Sequence, residues 1–212
     1  MKPQVDLSFY LVLDPQLCEP LGMIETARMA AAGGATAVQL RHKQADTRQM
    51  IELGRALQQA LADSAATLVI NDDVEAAKAL NAPALHIGQG DMPVARARAL
   101  IGPDMLLGLS VETPELAHAV DPDLVDYIGA GPVFATDTKP DHKAAIGFDG
   151  LAQIVGQSPV PVVAIGGLKR QHIAQVFASG AQGLAVVSAI CGQPDLERAI
   201  ADFNATINEV RP

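Results

Sequence analysis

Residues 160–188 read VPVVAIGGLKRQHIAQVFASGAQGLAVVS. Two apolar runs, at 160–165 and 183–187, flank a segment that ends at Gly180, and glycine is the residue type that most often ends a helix. Neither run alternates with polar residues, which is typical of parallel strands buried on both faces. The stretch therefore predicts a strand, a helix and a second parallel strand.

The same pattern recurs along the whole chain. Eight apolar runs are separated by helix-like segments; they lie at residues 9–13, 37–40, 67–70, 84–87, 106–109, 124–128, 160–165 and 183–187. This alternation in 212 residues predicts an α/β fold, a single (β/α)8 TIM barrel with residues 1–212 as one domain. The alternative is an open doubly wound sheet, but the glycine-rich phosphate loop expected after its first strand is replaced by Leu13-Asp14-Pro15.

The segments between the runs carry helical periodicity and capping residues. Within residues 48–61, Met50, Leu53 and Leu57 recur at the spacing of one helix face. Asp73 is placed to cap a helix over residues 74–80. The last helix is predicted over residues 195–208. These helices would cover the outside of the barrel.

Composition narrows the classes of function. A formal net charge of −9 and an aromatic content of 3% disfavour nucleic-acid binding. The apolar runs are far shorter than the roughly 20 residues of a membrane helix, and no signal peptide is recognisable. Cys18 and Cys191 have no metal-type spacing and are expected to be free thiols. We therefore expect a cytoplasmic protein without nucleic-acid or membrane partners; its oligomeric state stays open, a homo-oligomer being one option.

The residues that follow the second run form a basic cluster. In a barrel of this type the active site lies at the carboxyl ends of the strands. Gln39, Arg41 and Lys43 alternate along an extended segment and can point the same way, whereas His42 would point away from them. An arginine fork beside a lysine suits phosphate oxygens. A solvated strand end with salt bridges is the alternative for this cluster taken alone.

Two acids follow neighbouring strands. Asp72 comes after the third run and Asp91 after the fourth, so the two carboxylates can face each other. Hard carboxylate oxygens without a Cys or His cluster suit Mg²⁺, which keeps waters and binds substrate phosphates. The alternative for each is a helix N-cap, the role expected of Asp73.

The last two strands indicate a second anion site. Gly166-Gly167 follows the seventh run, and Val187-Ser188 ends the eighth. Glycines let backbone N–H groups approach an anion, and barrels often bind a phosphate at this position. Two phosphorylated small molecules facing each other suggest a transferase. Lys139 lies in a Thr-rich loop and is interpreted as an anion partner, and His86 as a packed or rim histidine rather than a base.

These residues resemble the thiamine phosphate synthase family, with the motifs in family order over about residues 10–208. The matching motifs are Gln39-x-Arg41-x-Lys43, Asn71-Asp72, His86-x-Gly88-Gln89-x-Asp91, Gly108-x-Ser110, Gly131-Pro132-Val133-Phe134-x-Thr136-x-Thr138-Lys139, Ala164-Ile165-Gly166-Gly167 and Val187-Ser188-Ala189-Ile190.

The resemblance implies a TIM barrel that condenses hydroxymethylpyrimidine diphosphate with thiazole phosphate, giving thiamine monophosphate and pyrophosphate with Mg²⁺ as cofactor. It assigns the diphosphate to Gln39, Arg41, Lys43 and Asn71, and Mg²⁺ to Asp72 and Asp91. It assigns Ser110 and Lys139 to the pyrimidine diphosphate, so Arg41, Lys43, Ser110 and Lys139 are the expected catalytic residues. It assigns the thiazole phosphate to Thr136, Thr138, Gly167, Val187 and Ser188.

The sequence departs from the family pattern at two positions, and two alternative functions remain. His42 stands where the family usually has an acid, and Ala135 where it often has proline. A related thiazole tautomerase, an isomerase on the same barrel, typically has histidine at the position of Pro132, so Pro132 favours the synthase. A non-catalytic binder of phosphorylated ligands is a further alternative. Residues 136–146 suggest a loop that closes over the substrate.

Overall fold

A computed structural model describes residues 5–136 and 144–211. Within them, eight parallel strands close into a barrel in chain order, with β1 paired to both β2 and β8. The strands are β1 (Phe9–Leu13), β2 (Ala37–Leu40), β3 (Thr67–Asn71), β4 (Ala84–Ile87), β5 (Leu106–Val111), β6 (Tyr127–Ala130), β7 (Val162–Ala164) and β8 (Gly183–Val186). The predicted (β/α)8 barrel is confirmed.

Helices follow the strands and cover the barrel. They are α1 (Met23–Ala32), α2 (Thr47–Ala60), α3 (Val74–Ala79), α4 (Val94–Ile101), α5 (Pro114–His118), α6 (Gly147–Gln157), α7 (Ile173–Ala178) and α8 (Leu196–Val210), with a 3₁₀ turn at Arg170–His172 before α7. Asp73 caps α3 as predicted, since its side chain accepts a hydrogen bond from the Ala76 N–H at 2.8 Å. In the described part of the chain no helix is both long and apolar enough to span a membrane.

Side chains alternate along each strand and form two separate apolar cores. One set, such as Phe9, Leu11 and Leu13 of β1, faces the helices and joins the larger core. The other set points into the barrel and forms a second core with Ala37, Val69, Ala84, Leu106 and Val163 among its members. Because the period is two residues, a one-residue shift of any strand would exchange the two sets, and this fixes the register.

Five strands differ from their predicted bounds: β3, β5 and β8 by one or two residues at their carboxyl ends, and β6 and β7 also at their start. The run at 124–128 was predicted as a strand, but β6 begins at Tyr127 because Leu124 lies in a turn, where its N–H donates to the Asp121 carbonyl at 3.1 Å. The run at 160–165 is shortened to β7 because the Ser158 hydroxyl donates to the Val160 carbonyl at 2.7 Å and holds it in a turn. In both cases, local hydrogen bonding overrides an apolar run.

The two cysteines lie side by side beneath the ends of β1 and β8. Both are buried free thiols, and the Cys18 and Cys191 sulfurs are 3.2 Å apart. The expectation of unlinked thiols is therefore confirmed.

A buried arginine ties α4 to the turn before β6. Arg98 donates to the carbonyls of Leu124, Gly102 and Met105 at 2.6–2.9 Å and to the Asp126 carboxylate at 2.7 Å. Its side chain is 9% exposed, so the charge depends on these acceptors for stabilisation.

We predict that Arg98→Met lowers the free energy of unfolding by about 3 kcal/mol or more, because it leaves the Asp126 carboxylate buried without its cation. Urea unfolding monitored by circular dichroism measures the change. Arg96→Met, on the exposed face of the same helix, is the control and is expected to change stability by about 0.5 kcal/mol or less. Equal losses in the two variants would contradict the assignment.

Candidate active site

A cavity opens at the carboxyl ends of the strands and collects most of the predicted site residues. Its walls come from residues on or just after every strand; they are Tyr10, Val12, Gln39, Arg41, Lys43, Asn71, Asp72, His86, Gly88, Asp91, Ser110, Glu112, Gly131, Pro132, Thr136, Val163, Ile165, Gly166, Gly167, Leu168, Ala185, Val186, Val187 and Ser188. Inward-facing side chains near the carboxyl ends of the strands line the cavity. Inward-facing side chains deeper in the barrel form the inner apolar core, which lies beneath the cavity floor.

One end of the cavity is basic. Gln39, Arg41, Lys43 and Asn71 all line it, as predicted, while His42 is not among its walls. Lys43 forms an ion pair with Asp72. The alternation of residues 39, 41 and 43 therefore carries past the end of β2 and brings a guanidinium and an ammonium group to one wall.

Two carboxylates lie side by side next to this wall. Asp72 has a left-handed backbone, with a φ of 62°, and its N–H continues the strand ladder by donating to the His86 carbonyl at 2.8 Å. Asp91 is held by the Gly88 N–H, which donates to its Oδ2 at 2.7 Å. Burial raises the pKa of Asp72; the Lys43 ammonium opposes this shift, and the adjacent Asp91 carboxylate reinforces it.

The donor set at this pair fits a magnesium ion. Among the described residues no group of three or more His, Cys, Asp or Glu side chains is placed to hold a metal. Asp72 and Asp91 together would supply two hard oxygen ligands and leave the other positions to water or phosphate oxygens, the usual coordination of Mg²⁺. The unfavourable proximity of the two carboxylates is what a divalent cation would relieve.

The opposite end of the cavity is built from the loops after β7 and β8. Gly167, Val187 and Ser188 line it, as predicted. Lys169, which the sequence analysis did not single out, donates from Nζ to the Ser188 hydroxyl at 2.7 Å. The Ser188 carbonyl is held from the other side by Gln193 Nε2 at 2.7 Å. A cation therefore contacts the hydroxyl group that lines this end, although Lys169 is not itself a lining residue.

The structure shows a packing requirement for glycine at position 167. Its φ is +65°, and a Cβ at this position would lie 2.7 Å from the Ala135 carbonyl oxygen and 2.7 Å from the Phe134 Cβ. The missing side chain thus makes room for the backbone of the loop after β6.

Of the remaining predicted residues, Ser110 and Thr136 are among the described residues, and Thr138 and Lys139 are not. Ser110 lines the cavity, and its Oγ lies 3.0 Å from Nε2 of His86. His86 is a buried rim residue, as interpreted from the sequence, and is 8% exposed. Thr136 also lines the cavity. Thr138 and Lys139 lie outside the described residues, as does most of the predicted closing loop over residues 136–146.

Several wall residues have no role predicted from the sequence. Tyr10 lies on β1, and Glu112 and Ile165 lie one residue beyond the ends of β5 and β7. Alternation counted from Ser110 gives Glu112, whereas the placement of the other two depends on how their strands pair. Lys169 lies in a loop, where no periodicity exists to indicate its direction.

Comparison with known proteins agrees with this geometry. Residues 9–190 match the family described as thiamine monophosphate synthase. The chain is 46% identical over 196 residues to the thiamine-phosphate synthase of Laribacter hongkongensis, covering 92% of each chain. It is 44% identical over 206 residues to that of Azorhizobium caulinodans, covering 97% of each. The solved thiamine phosphate pyrophosphorylase of Pyrococcus furiosus superposes with a TM-score of 0.87 at 36% identity, covering 97% of this chain and 98% of the other.

We predict that Gly167→Ala destabilises the fold by about 1–3 kcal/mol, because alanine at positive φ is strained and its Cβ has no space. The control is Gly156→Ala in α6, where a Cβ would meet nothing within 4 Å. That variant is expected to gain roughly 0.5–1 kcal/mol. Thermal unfolding of both gives the comparison, and equal stability of the two variants would contradict the packing role of Gly167.

Proposed function

The chain belongs to the thiamine monophosphate synthase family, and we propose that it joins hydroxymethylpyrimidine diphosphate to thiazole phosphate, releasing pyrophosphate and forming thiamine monophosphate. The observation that carries this proposal is the pairing of two anion-binding ends in one cavity. Arg41 and Lys43 stand at one end, and Ser188 with Lys169 at the other. The two reacting molecules can therefore meet between two fixed phosphate positions.

The basic end is suited to hold a leaving diphosphate. In the proposed step the bond between the pyrimidine methylene carbon and the diphosphate oxygen breaks, and its electron pair leaves with pyrophosphate. The lone pair of the thiazole nitrogen then forms the new C–N bond. Negative charge grows on the leaving oxygen, where Arg41, Lys43 and Asn71 are placed to stabilise it. Because the thiazole nitrogen carries no proton to remove, the step needs no general base.

Asp72 and Asp91 are proposed to hold Mg²⁺ at the same end. A bound Mg²⁺ would supply additional positive charge to the diphosphate. Asp72 also pairs with Lys43, so one carboxylate positions a cationic side chain beside the expected metal. Gln39 and Ser110 also line the cavity and are proposed to contact the pyrimidine diphosphate.

The other end is proposed to bind the phosphate of the thiazole. Gly167, Val187 and Ser188 border it, and Thr136 lies nearby on the cavity wall. Lys169 is added to this set because its ammonium group reaches the Ser188 hydroxyl. Thr138 and Lys139 keep the roles that the family resemblance gives them. We also propose a cytoplasmic location, where the free thiols expected from the sequence would stay reduced.

A direct assay tests the reaction. The purified chain is incubated with both substrates and Mg²⁺, and thiamine monophosphate and pyrophosphate are quantified by chromatography. We expect equal amounts of the two products and none when either substrate is omitted. Rearrangement of the thiazole without the pyrimidine substrate would instead favour the isomerase alternative, and binding without turnover would favour a non-catalytic binder.

We predict that Asp72→Asn and Asp91→Asn each lower kcat/KM by roughly 10²-fold or more at fixed Mg²⁺, because each removes a charged oxygen ligand. Asparagine tolerates the left-handed backbone at position 72, so the fold is kept. Calorimetry provides a readout besides activity, with weaker binding of Mg²⁺-pyrophosphate expected.

The control for these variants is Asp73→Asn. Asp73 is the neighbouring residue but caps α3, and asparagine is an equally good cap. It is expected to keep wild-type activity within about twofold, since it removes no proposed ligand. Wild-type activity and Mg²⁺-pyrophosphate binding in both Asp72→Asn and Asp91→Asn would refute the metal assignment.

We predict that Lys169→Met raises the KM for thiazole phosphate roughly tenfold and leaves the KM for the pyrimidine diphosphate unchanged, because a charge-assisted contact to one phosphate is lost. Lys169→Arg, which keeps the charge, is expected to retain most of the affinity. The thiazole alcohol without its phosphate is the matched substrate, and wild type and Lys169→Met should use it equally well. An equal defect with the alcohol would show that Lys169 has only a structural role.

A further inference from the structure

A continuous chain of hydrogen bonds crosses the barrel beneath the cavity. Gln39 Nε2 lies 2.8 Å from the Tyr10 hydroxyl, which lies 3.1 Å from the Tyr127 hydroxyl. The Tyr127 hydroxyl lies 3.2 Å from Nδ1 of His86, and Nε2 of His86 lies 3.0 Å from Oγ of Ser110. Side chains from β1, β2, β4, β5 and β6 are thus linked, and both end residues line the cavity.

The donors and acceptors along this chain follow a single direction. A phenol has one proton to donate. With Gln39 donating to Tyr10, one arrangement gives every proton of the hydrogen-bond chain an acceptor: Tyr10 donates to Tyr127, and Tyr127 donates to Nδ1 of His86. A neutral imidazole that accepts at Nδ1 carries its proton on Nε2, so it donates to Ser110. Every group is then satisfied, whereas a second proton on His86 would leave the Tyr127 proton without its acceptor in this chain.

Burial supports this direction. Tyr10 and Tyr127 are fully buried, and burial raises the pKa of both hydroxyls above the ordinary range of a phenol. Each hydroxyl therefore keeps its proton near neutral pH. In this low-dielectric interior, reversing or breaking the series of hydrogen bonds would leave polar groups unpaired, and an unpaired buried polar group destabilises the fold.

The strand register is arranged to accommodate the chain. Gly108 lies between His86 and Tyr127 in the register of β4, β5 and β6. A Cβ at Gly108 would lie 2.4 Å from Nδ1 of His86 and 2.5 Å from the Tyr127 hydroxyl. Only glycine leaves room for the two side chains to meet there, which gives a physical reason for the glycine two residues before Ser110.

We propose that Tyr127 and His86 are positioning residues that orient the Ser110 hydroxyl. With His86 donating from Nε2, the Ser110 oxygen accepts inside the barrel, and its own proton points into the cavity. The wall at Ser110 is then a hydrogen-bond donor and selects substrates that carry an acceptor atom at this point. The kinetic consequence rests on the proposed function, while the proton position on His86 does not.

Tyr127→Phe is the variant that isolates this effect. It removes one oxygen atom, keeps the ring that fills the barrel, and changes no wall of the cavity, since Tyr127 is not one of the lining residues. We expect kcat/KM for the pyrimidine diphosphate to fall roughly tenfold, the size of one lost neutral hydrogen bond. The KM for thiazole phosphate is expected to stay unchanged.

A double-mutant cycle separates positioning from general loosening of the fold. If Tyr127 acts through Ser110, Tyr127→Phe has no further effect in the Ser110→Ala background. Thr26→Val is the matched control, because it removes a buried hydroxyl that donates to the Gly22 carbonyl in α1, away from the cavity. It is expected to lower the melting temperature without changing kcat/KM. Multiplicative effects of Tyr127→Phe and Ser110→Ala would overturn the proposal.

The tautomer of His86 gives a readout that needs no activity. Imidazole ¹⁵N spectra of the wild-type chain, with the His86 signals assigned by their loss in His86→Gln, are expected to show a proton on Nε2 and none on Nδ1. In Tyr127→Phe this preference is expected to weaken. A proton on Nδ1 in the wild type would refute the proposed direction of the hydrogen bonds, even if the protein is an active enzyme. The expected tautomer in a chain without synthase activity would refute the proposed function alone.

Discussion

The alternation of side chains along eight closed strands determines where each functional group lies. Closure leaves no strand edge, and every second side chain is directed into a narrow interior. At the lower level these side chains are apolar, as at Ala37, Val69 and Ala84. Two positions further along the same three strands they are polar, and they are Gln39, Asn71 and His86. One register therefore builds both the inner core and the floor of the active site.

Charge is divided unequally between the two ends of the cavity, in keeping with the reaction. The diphosphate end carries both acids and bases, with Asp72 paired to Lys43 and next to Asp91. The cations there are proposed to neutralise the leaving group, and the acids to bind a metal ion. The thiazole end has a lysine and a hydroxyl, enough for a phosphate that only needs to be held. Such a crowded set of charges costs stability. By contrast, the buried charge of Arg98 is stabilised by the Asp126 carboxylate.

The sequence predicts the barrel well because each strand is a short apolar run, and it predicts the wall residues that follow a strand in alternation, such as Arg41 and Ser110. It misplaces β6, where a turn at Leu124 competes with an apolar run. It also misses Lys169, since loop direction has no periodic signal. The chain of hydrogen bonds that links Gln39 to Ser110 could not be predicted, because it joins residues up to 117 positions apart and forms only once the strands are in register. The packing of Gly167 against the loop after β6 could not be predicted either, since these neighbours come from a distant part of the sequence.

In the proposed enzyme two separate anion sites face each other across one cavity. A crystal structure of the chain with Mg²⁺, pyrophosphate and thiamine monophosphate would locate both. We expect pyrophosphate beside Arg41 and Lys43, a metal ion bound by both Asp72 and Asp91, and the monophosphate of the product at Gly167, Ser188 and Lys169. Binding of both phosphate groups at one end, or a metal ion away from the two aspartates, would contradict this proposal.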